Sequence, residues 1–237
     1  MIPKAIRNRR ENGKKTMEVN SMAVARPGTP DEARAEILNA AAVAFMERGY
    51  AATSIDDVAD TLGATKGRIY HYYQSKTDIF IDIHLESLRI LLERVGAIAR
   101  RSDLPPHERL YAMCHEHVTV FMTTIAYQKS TILGLNRFLL SITKPHQNDA
   151  TRRIQRLRDE YETLFISAIT DGIASGIFAD TDPRFVTKPL LGALNWANIW
   201  YEASPADDSN RVENTAAGLA EFCVKALLNP AARMKSL

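Results

Sequence analysis

Residues 54–76, SIDDVADTLGATKGRIYHYYQSK, contain the start and stop signals of two short helices joined by a tight turn. Ser54 followed three residues later by Asp57 is the pattern of a capping box, in which each side chain bonds the other residue's backbone amide. Gly63 comes directly after the last apolar residue, where a left-handed residue lets the chain leave a helix. These signals predict a first helix between Ser54 and Gly63.

A second helix is predicted to follow at once. Thr65 is placed to cap a helix of about residues 66–72, and Ser75 with Asp78 forms a further capping box that starts a third helix. Two helices joined by about three residues are typical of a helix-turn-helix.

The outward face of the second helix is cationic and aromatic. With Ile69 turned inward, the 100° step between residues places Gly67 and His71 on the opposite side, flanked by Arg68 and Tyr70. Local positive charge is what meets a phosphate backbone, so a net charge of only +2 for the chain does not count against DNA binding. Taken singly, each of these residues also has a plainer interpretation, as a solvated charge, a cap or a packing residue.

The segment from about residue 35 to residue 85 resembles the N-terminal domain of the TetR family of bacterial transcriptional regulators. The resemblance rests on an alanine-rich first helix ending in Phe45 and Gly49-Tyr50, the Ala52-Thr53-Ser54 entry, the Gly63 turn, and Ile69-Tyr70-His71-Tyr72-Tyr73 before Ser75-Lys76. It implies a DNA-binding regulator with a ligand-binding second domain. The rest of the chain is similar to the family in helical pattern and length only.

The resemblance supports specific roles at the matching positions. Lys66 and Arg68 are the predicted base readers, since both can donate to guanine O6 and N7. Gly67 would let the helix backbone approach the DNA closely. The residues predicted to position phosphates are Thr53, Thr65, Tyr70, His71 and Lys76.

Composition favours an all-α protein of two domains. The chain has 237 residues, 46% of them hydrophobic, with only 11 Gly and 10 Pro and without alternating strand-like runs. We predict a disordered basic tail over residues 1–28, a three-helix helix-turn-helix domain over 29–76, and a helical-bundle domain for ligand binding and dimerisation over 77–237. No apolar run approaches membrane-spanning length and no secretory signal is evident, so we expect a cytoplasmic protein without a membrane partner.

The N-terminal tail carries seven Lys or Arg against two Glu, as arms that contact DNA do. A solvated tail, or a true start at Met17 or Met22, explains it equally well. Folded structure is predicted to begin at Thr29, where a capping Thr, a proline and an acidic first turn coincide. The two cysteines, Cys114 and Cys223, lie in apolar stripes and are expected to be buried free thiols.

Beyond the helix-turn-helix, the pattern predicts amphipathic helices separated by short breaks. Their predicted ranges are 76–101, 106–126, 129–142, 148–175, 183–201 and 210–228, which suits a helical bundle.

The helix predicted at 183–201 has two apolar rows, of which Trp196 and Trp200 mark one and Leu190 and Leu194 the other. A helix with two apolar faces needs two partners. The family resemblance implies that this helix and the last one pair with their copies across a two-fold axis, making a homodimer. A monomeric core is the alternative.

The ligand is predicted to be a small apolar inducer bound between the central helices. The residues from Gly192 to Tyr201 resemble a pattern of TetR-type regulators of fatty-acid and sterol breakdown, which favours an acyl-CoA, with Arg137, Arg152, Arg153 or Arg156 near its phosphates. A drug-like efflux substrate is the alternative. The predicted pocket residues are Phe121, Met122, Ile125, Leu133, Phe138, Tyr161, Phe165, Asn195 and Trp196.

Enzymatic interpretations find little support. The sequence has no glycine-rich phosphate loop, no nucleophile elbow and no cysteine pair at metal spacing, and His115 and His117 point away from each other on a helix. No cofactor or metal is therefore expected. The sequence predicts a ligand-responsive repressor that is released from a palindromic operator in double-stranded DNA. A helical enzyme or adaptor bundle without DNA binding is the alternative of another class.

Overall fold

The computed structural model describes residues 29–131, 144–201 and 209–229. Within these ranges the fold is helical, apart from one isolated β-bridge between Phe178 and Leu228, which confirms the predicted all-α class. Residues 125–131 are also helical. The named helices are α1 (Pro30–Arg48), α2 (Ile55–Leu62), α3 (Lys66–Tyr72), α4 (Lys76–Ala99), α5 (Pro106–Thr123), α6 (Pro145–Ala174), α7 (Pro183–Trp200) and α8 (Ser209–Leu227).

The local signals of the helix-turn-helix are confirmed. Thr29 and Ser54 each form a complete capping box, with Glu32 and Asp57 respectively. Gly63 has φ 66° and ψ 34°, the left-handed conformation that ends α2. The α2–α3 turn therefore has the geometry that the sequence predicts.

Two of the predicted caps are wrong in detail. Thr65 stands at the N-cap position of α3, but its side chain makes no capping hydrogen bond. Ser75 accepts a hydrogen bond from the Asp78 amide, as predicted. The Asp78 carboxylate, however, accepts from the Ser75 hydroxyl and from Gln147 on α6, and does not close the box on the Ser75 amide.

The described residues form two hydrophobic clusters, and α4 runs from one to the other. The first packs α1, α2 and α3 against the beginning of α4, with Phe45, Ile69 and Phe80 fully or almost fully buried. The second packs α5 to α8 against the later part of α4, from Leu91 onward. The division between residues 76 and 77 remains a prediction, since α4 contributes to both clusters.

Helix α5 ends three residues earlier than predicted. The hydroxyls of Thr123 and Thr124 bond back to the carbonyls of Thr119 and Val120, and Thr124 leaves helical geometry. Most of the helix predicted at 129–142 lies outside the described residues, as do the basic tail and Arg137.

Two further observations concern the described helices. None of them is long and apolar enough to cross a membrane. Cys114 and Cys223 are free and buried, as the sequence predicts.

Candidate DNA-reading surface and ligand cavity

One face of α3 and the residue before it form an exposed polar surface. Ile69 is fully buried and fixes the rotation of the helix. The predicted DNA-binding residues that share the exposed surface are Thr65, Lys66, Gly67, Arg68, Tyr70 and His71. The structure therefore brings six of the eight predicted residues together.

The two fully charged side chains of α3 are already in ion pairs. Arg68 Nη2 lies 2.5 Å from Glu36 Oε2 on α1, and Lys66 Nζ lies 2.8 Å from Asp56 Oδ2 on α2. The hydrogen bond with Asp56 raises the pKa of Lys66 above its ordinary value. Lys66 also sits 5.9 Å from the centre of the Tyr70 ring, a cation–π distance.

Thr53 and Lys76 are placed differently from the prediction. Thr53 is 1% exposed, and its hydroxyl donates to the Gly49 carbonyl at 2.8 Å. Lys76 Nζ donates to the carbonyls of Tyr50 at 2.6 Å and Thr53 at 2.7 Å, and burial lowers the pKa of Lys76. Both side chains brace the loop between α1 and α2, so we do not retain them as phosphate contacts.

A cavity of about 320 Å³ lies between α4, α5, α6, α7 and the helical residues 125–131. This volume is at the small end of the range for ligand sites. Six polar side chains that are more than nine-tenths buried line it, although the sequence predicted an apolar pocket. They are His84, Ser87, His117, Gln128, Thr131 and Tyr161.

His117 and Tyr161 form a buried polar pair in the cavity. The His117 Nδ1 and Tyr161 hydroxyl oxygen are 2.7 Å apart. His117 Nε2 is buried and has no hydrogen-bond partner among the described residues. Burial lowers the pKa of His117 to about 3, with a smaller opposing effect from Asn195, so the ring is neutral at pH 7.

Three of the predicted pocket residues line this cavity, namely Phe121, Tyr161 and Asn195. Met122 and Phe165 are buried in the surrounding core, and Ile125 is packed against it. Trp196 is placed differently from the prediction, since it is 63% exposed and does not line this cavity. Leu133 and Phe138 lie outside the described residues.

Among the arginines of the described residues, Arg158 lines the cavity, whereas Arg152, Arg153 and Arg156 do not. Helical periodicity could have found it, since position 158 shares a face with the buried Ile154 and Tyr161. The remaining lining residues that sequence reasoning missed are His84, Ser87, Leu88, Leu91, His117, Gln128, Thr131, Gln155, Asp159, Glu162, Lys188 and Leu191.

The beginning of α6 is hydrogen-bonded to the first turn of α4. Gln147 Nε2 donates to Asp78 Oδ1 at 2.9 Å, and His146 Nε2 lies 3.0 Å from the same oxygen. Burial opposes the charge on Asp78, but the hydrogen bonds from Gln147, Ser75 and His146 keep its pKa below the ordinary value. Helix α6 therefore connects the cavity, which it lines with Arg158 and Tyr161, to the DNA-reading end of the molecule.

Helices α7 and α8 present large apolar side chains to solvent. Phe185 and Trp196 are 69% and 63% exposed, and Phe222 is 63% exposed. Ile199 and Trp200 are also exposed on α7, whereas Leu190, Leu194 and Ala197 are buried. In the single chain, the predicted row with Trp196 and Trp200 therefore faces solvent, and the row with Leu190 and Leu194 faces the core.

Among the described residues, no cluster of His, Cys, Asp or Glu could hold a metal ion.

Comparison with known proteins places these features in a family. The family described as "Bacterial regulatory proteins, tetR family" matches residues 37–83. The family described as "Tetracyclin repressor-like, C-terminal domain" matches residues 103–221. The transcriptional repressor KstR2 of Mycobacterium tuberculosis strain H37Rv is 35% identical over 176 residues, which are 73% of this chain and 84% of the repressor.

Solved structures share the fold. The TetR-family regulator PfmR of Thermus thermophilus aligns with a TM-score of 0.69 and 25% identity over 80% of this chain and 97% of its own. AibR, crystallised with isovaleryl coenzyme A and operator DNA, aligns with a TM-score of 0.66 and 21% identity over 83% of this chain and 98% of its own. The matched domains set aside the enzyme and adaptor alternatives, and the chain belongs to the TetR family of bacterial transcriptional regulators.

Proposed function

We propose that this regulator is a cytoplasmic homodimeric repressor that binds a palindromic operator and leaves it when a small ligand occupies the cavity. The exposed surface of α3 carries the proposal. It presents two cations, a glycine and an aromatic ring on a helix whose opposite side is anchored by Ile69. Two copies of α3 would enter successive major grooves about 34–36 Å apart.

Each residue of that surface has a proposed role. Arg68 and Lys66 would read guanine edges after leaving their carboxylate partners. Thr65, Tyr70 and His71 would contact phosphates, which position the helix without reading sequence. Gly67 would allow the backbone of α3 to lie against the DNA.

The exposed apolar residues of α7 and α8 support the homodimer. Large apolar patches on a single chain mark interaction surfaces. A two-fold contact between these helices would bury Trp196, Trp200 and Phe222.

Trp196→Glu should therefore convert the dimer to a monomer, because a buried unpaired carboxylate is strongly unfavourable. Sedimentation velocity at micromolar concentration should show the change. Thr163→Glu on the exposed side of α6 adds the same charge and should leave the dimer intact. Equal sedimentation of both variants with the wild type would contradict the proposed interface.

For the ligand we propose the acyl group of an acyl-CoA. The cavity holds about 320 Å³, which is enough for an acyl group but not for the whole thioester. Arg158 and Lys188 line it and are exposed, so they can reach phosphates outside its mouth, although Lys188 also pairs with Glu162. AibR, which shares the fold, was crystallised with isovaleryl-CoA. The comparisons do not favour the efflux alternative.

Helix α6 offers a route from the cavity to the DNA. A ligand that displaces Tyr161 or Arg158 would move this helix, and Gln147 would transmit the displacement to Asp78 at the start of α4. The two α3 helices of the dimer would then change their separation. By linkage, a ligand that prefers the DNA-free dimer must weaken operator binding by the same factor.

One experiment tests the function. Selection from a random duplex pool should enrich a pseudo-palindrome, and the bound DNA should be released by acyl-CoA thioesters of some length but not by the matching free acids. Failure to enrich any sequence would contradict DNA reading. Release by hydrophobic drugs and by no thioester from acetyl to palmitoyl would contradict only the acyl-CoA assignment.

A further inference from the structure

The ion pairs of α3 place a carboxylate beside each cation that would meet DNA. Glu36 comes from α1, 32 positions before Arg68 in the sequence, and Asp56 comes from α2. All four side chains are exposed, with 42% of Arg68 and 54% of Glu36 accessible to solvent. Both cations and both carboxylates are therefore accessible to a DNA duplex that approaches α3.

Exposed ion pairs of this kind contribute at most about 1 kcal/mol, so DNA can open them. Opening leaves a carboxylate close to the approaching phosphates, where it repels them. A phosphate contact is the same for every sequence. A bidentate contact with guanine contributes about 1–3 kcal/mol of discrimination, which exceeds the contribution of the pair.

We infer that Glu36 and Asp56 limit the DNA affinity of this surface, because they compete with every duplex for Arg68 and Lys66. The inference rests on the proposed DNA-reading role of α3. The operator opens both pairs and bears their full cost, whereas a duplex that offers only phosphates either bears the same cost or leaves the pairs closed and loses those contacts. Removal of the carboxylates should therefore raise the affinity for both kinds of duplex, and for the operator at least as much as for random DNA.

The test is Glu36→Gln, which keeps the side-chain size and removes the charge. Binding is measured to a 24-base-pair duplex of random sequence and to the operator obtained by selection. We expect random-duplex affinity to rise about fivefold, the equivalent of about 1 kcal/mol. Operator affinity should rise by at least the same factor. The salt dependence of random-duplex binding should steepen, because Arg68 becomes free to neutralise one more phosphate.

A matched control separates this local effect from net charge. Glu93 pairs with Arg89 on α4, about 25 Å along the helix from its start, so Glu93→Gln makes the same charge change away from α3. The Glu36→Gln effect should also vanish in an Arg68→Ala background. Melting temperatures of all variants show whether the fold is kept.

Three results would overturn the inference while leaving the proposed function standing. Random-duplex affinity could rise equally in Glu93→Gln, fail to rise in Glu36→Gln, or still rise with Glu36→Gln in the Arg68→Ala background. If wild type and Glu36→Gln both fail to bind any duplex, the proposed function fails as well.

Discussion

Replacing Gly67 by Ala should remove most of the operator affinity without harming the fold. Gly67 lies in the first turn of α3 between the two proposed readers. A Cβ atom built there would meet only the Thr65 hydroxyl, at 3.9 Å, so the free protein has room for it. Alanine is also favoured over glycine in helices, by up to about 1 kcal/mol.

The loss should therefore come from the DNA side alone. If the backbone of α3 lies against the duplex at this position, an added methyl group pushes the helix away from every contact at once. Overpacking of a close contact costs roughly 1–3 kcal/mol, and its upper range corresponds to about a 100-fold loss of affinity. Fluorescence anisotropy with the selected operator measures the affinity, and thermal melting measures the fold.

Arg68→Ala is the informative comparison, because it removes a side chain from the same turn. It should relax the preference at particular base pairs by about 1–3 kcal/mol. Gly67→Ala should instead weaken binding to all duplexes. A Gly67→Ala protein that binds the operator as tightly as the wild type would show that the α3 backbone does not approach DNA there.

The helix-turn-helix could be predicted because its signals are local. The Ser54–Asp57 box, the left-handed Gly63 and the inward Ile69 each depend on residues within one or two helical turns. Thr53 and Lys76 could not be placed in this way. The positions of both side chains depend on the loop that follows α1, whose carbonyls bond Lys76 from more than 20 residues earlier in the chain. Sequence spacing does not show such a contact.

The cavity was harder to predict for a different reason. Periodicity identifies which residues of a helix are buried, but it does not show whether their side chains pack in the core or line a cavity. Asn195 and Trp196 are neighbours on α7, yet the first lines the cavity and the second faces solvent. A search for apolar residues also passes over buried polar ones such as His84 and His117, whose position depends on several helices packing together.

Those two histidines lead to a strong pH dependence of stability. Burial and the nearby Arg158 lower the pKa of His84 from 6.5 to about 4, and burial lowers that of His117 to about 3. Below pH 6.5 the unfolded chain binds protons that the folded chain does not, so the free energy of unfolding must fall with pH. Stability is fully present above about pH 6.5 and is lost progressively toward pH 4 and below.

At pH 4.5 each histidine should contribute a loss of about 3 kcal/mol, since each pH unit corresponds to about 1.4 kcal/mol. Asp57 and Asp78 have pKa values below 3.8 and titrate at lower pH, whereas Asp82, whose pKa is raised by burial, acts in the opposite direction. Urea unfolding at fixed protein concentration should therefore show a steep loss between pH 6.5 and 4.5. His117→Gln should flatten that dependence, and His71→Gln, a change on the exposed face of α3, should not. If the free energy of unfolding of His117→Gln depends on pH as steeply as that of the wild type, His117 is not a source of the acid sensitivity. The assignment of a neutral His117 ring to the cavity lining then has to be abandoned.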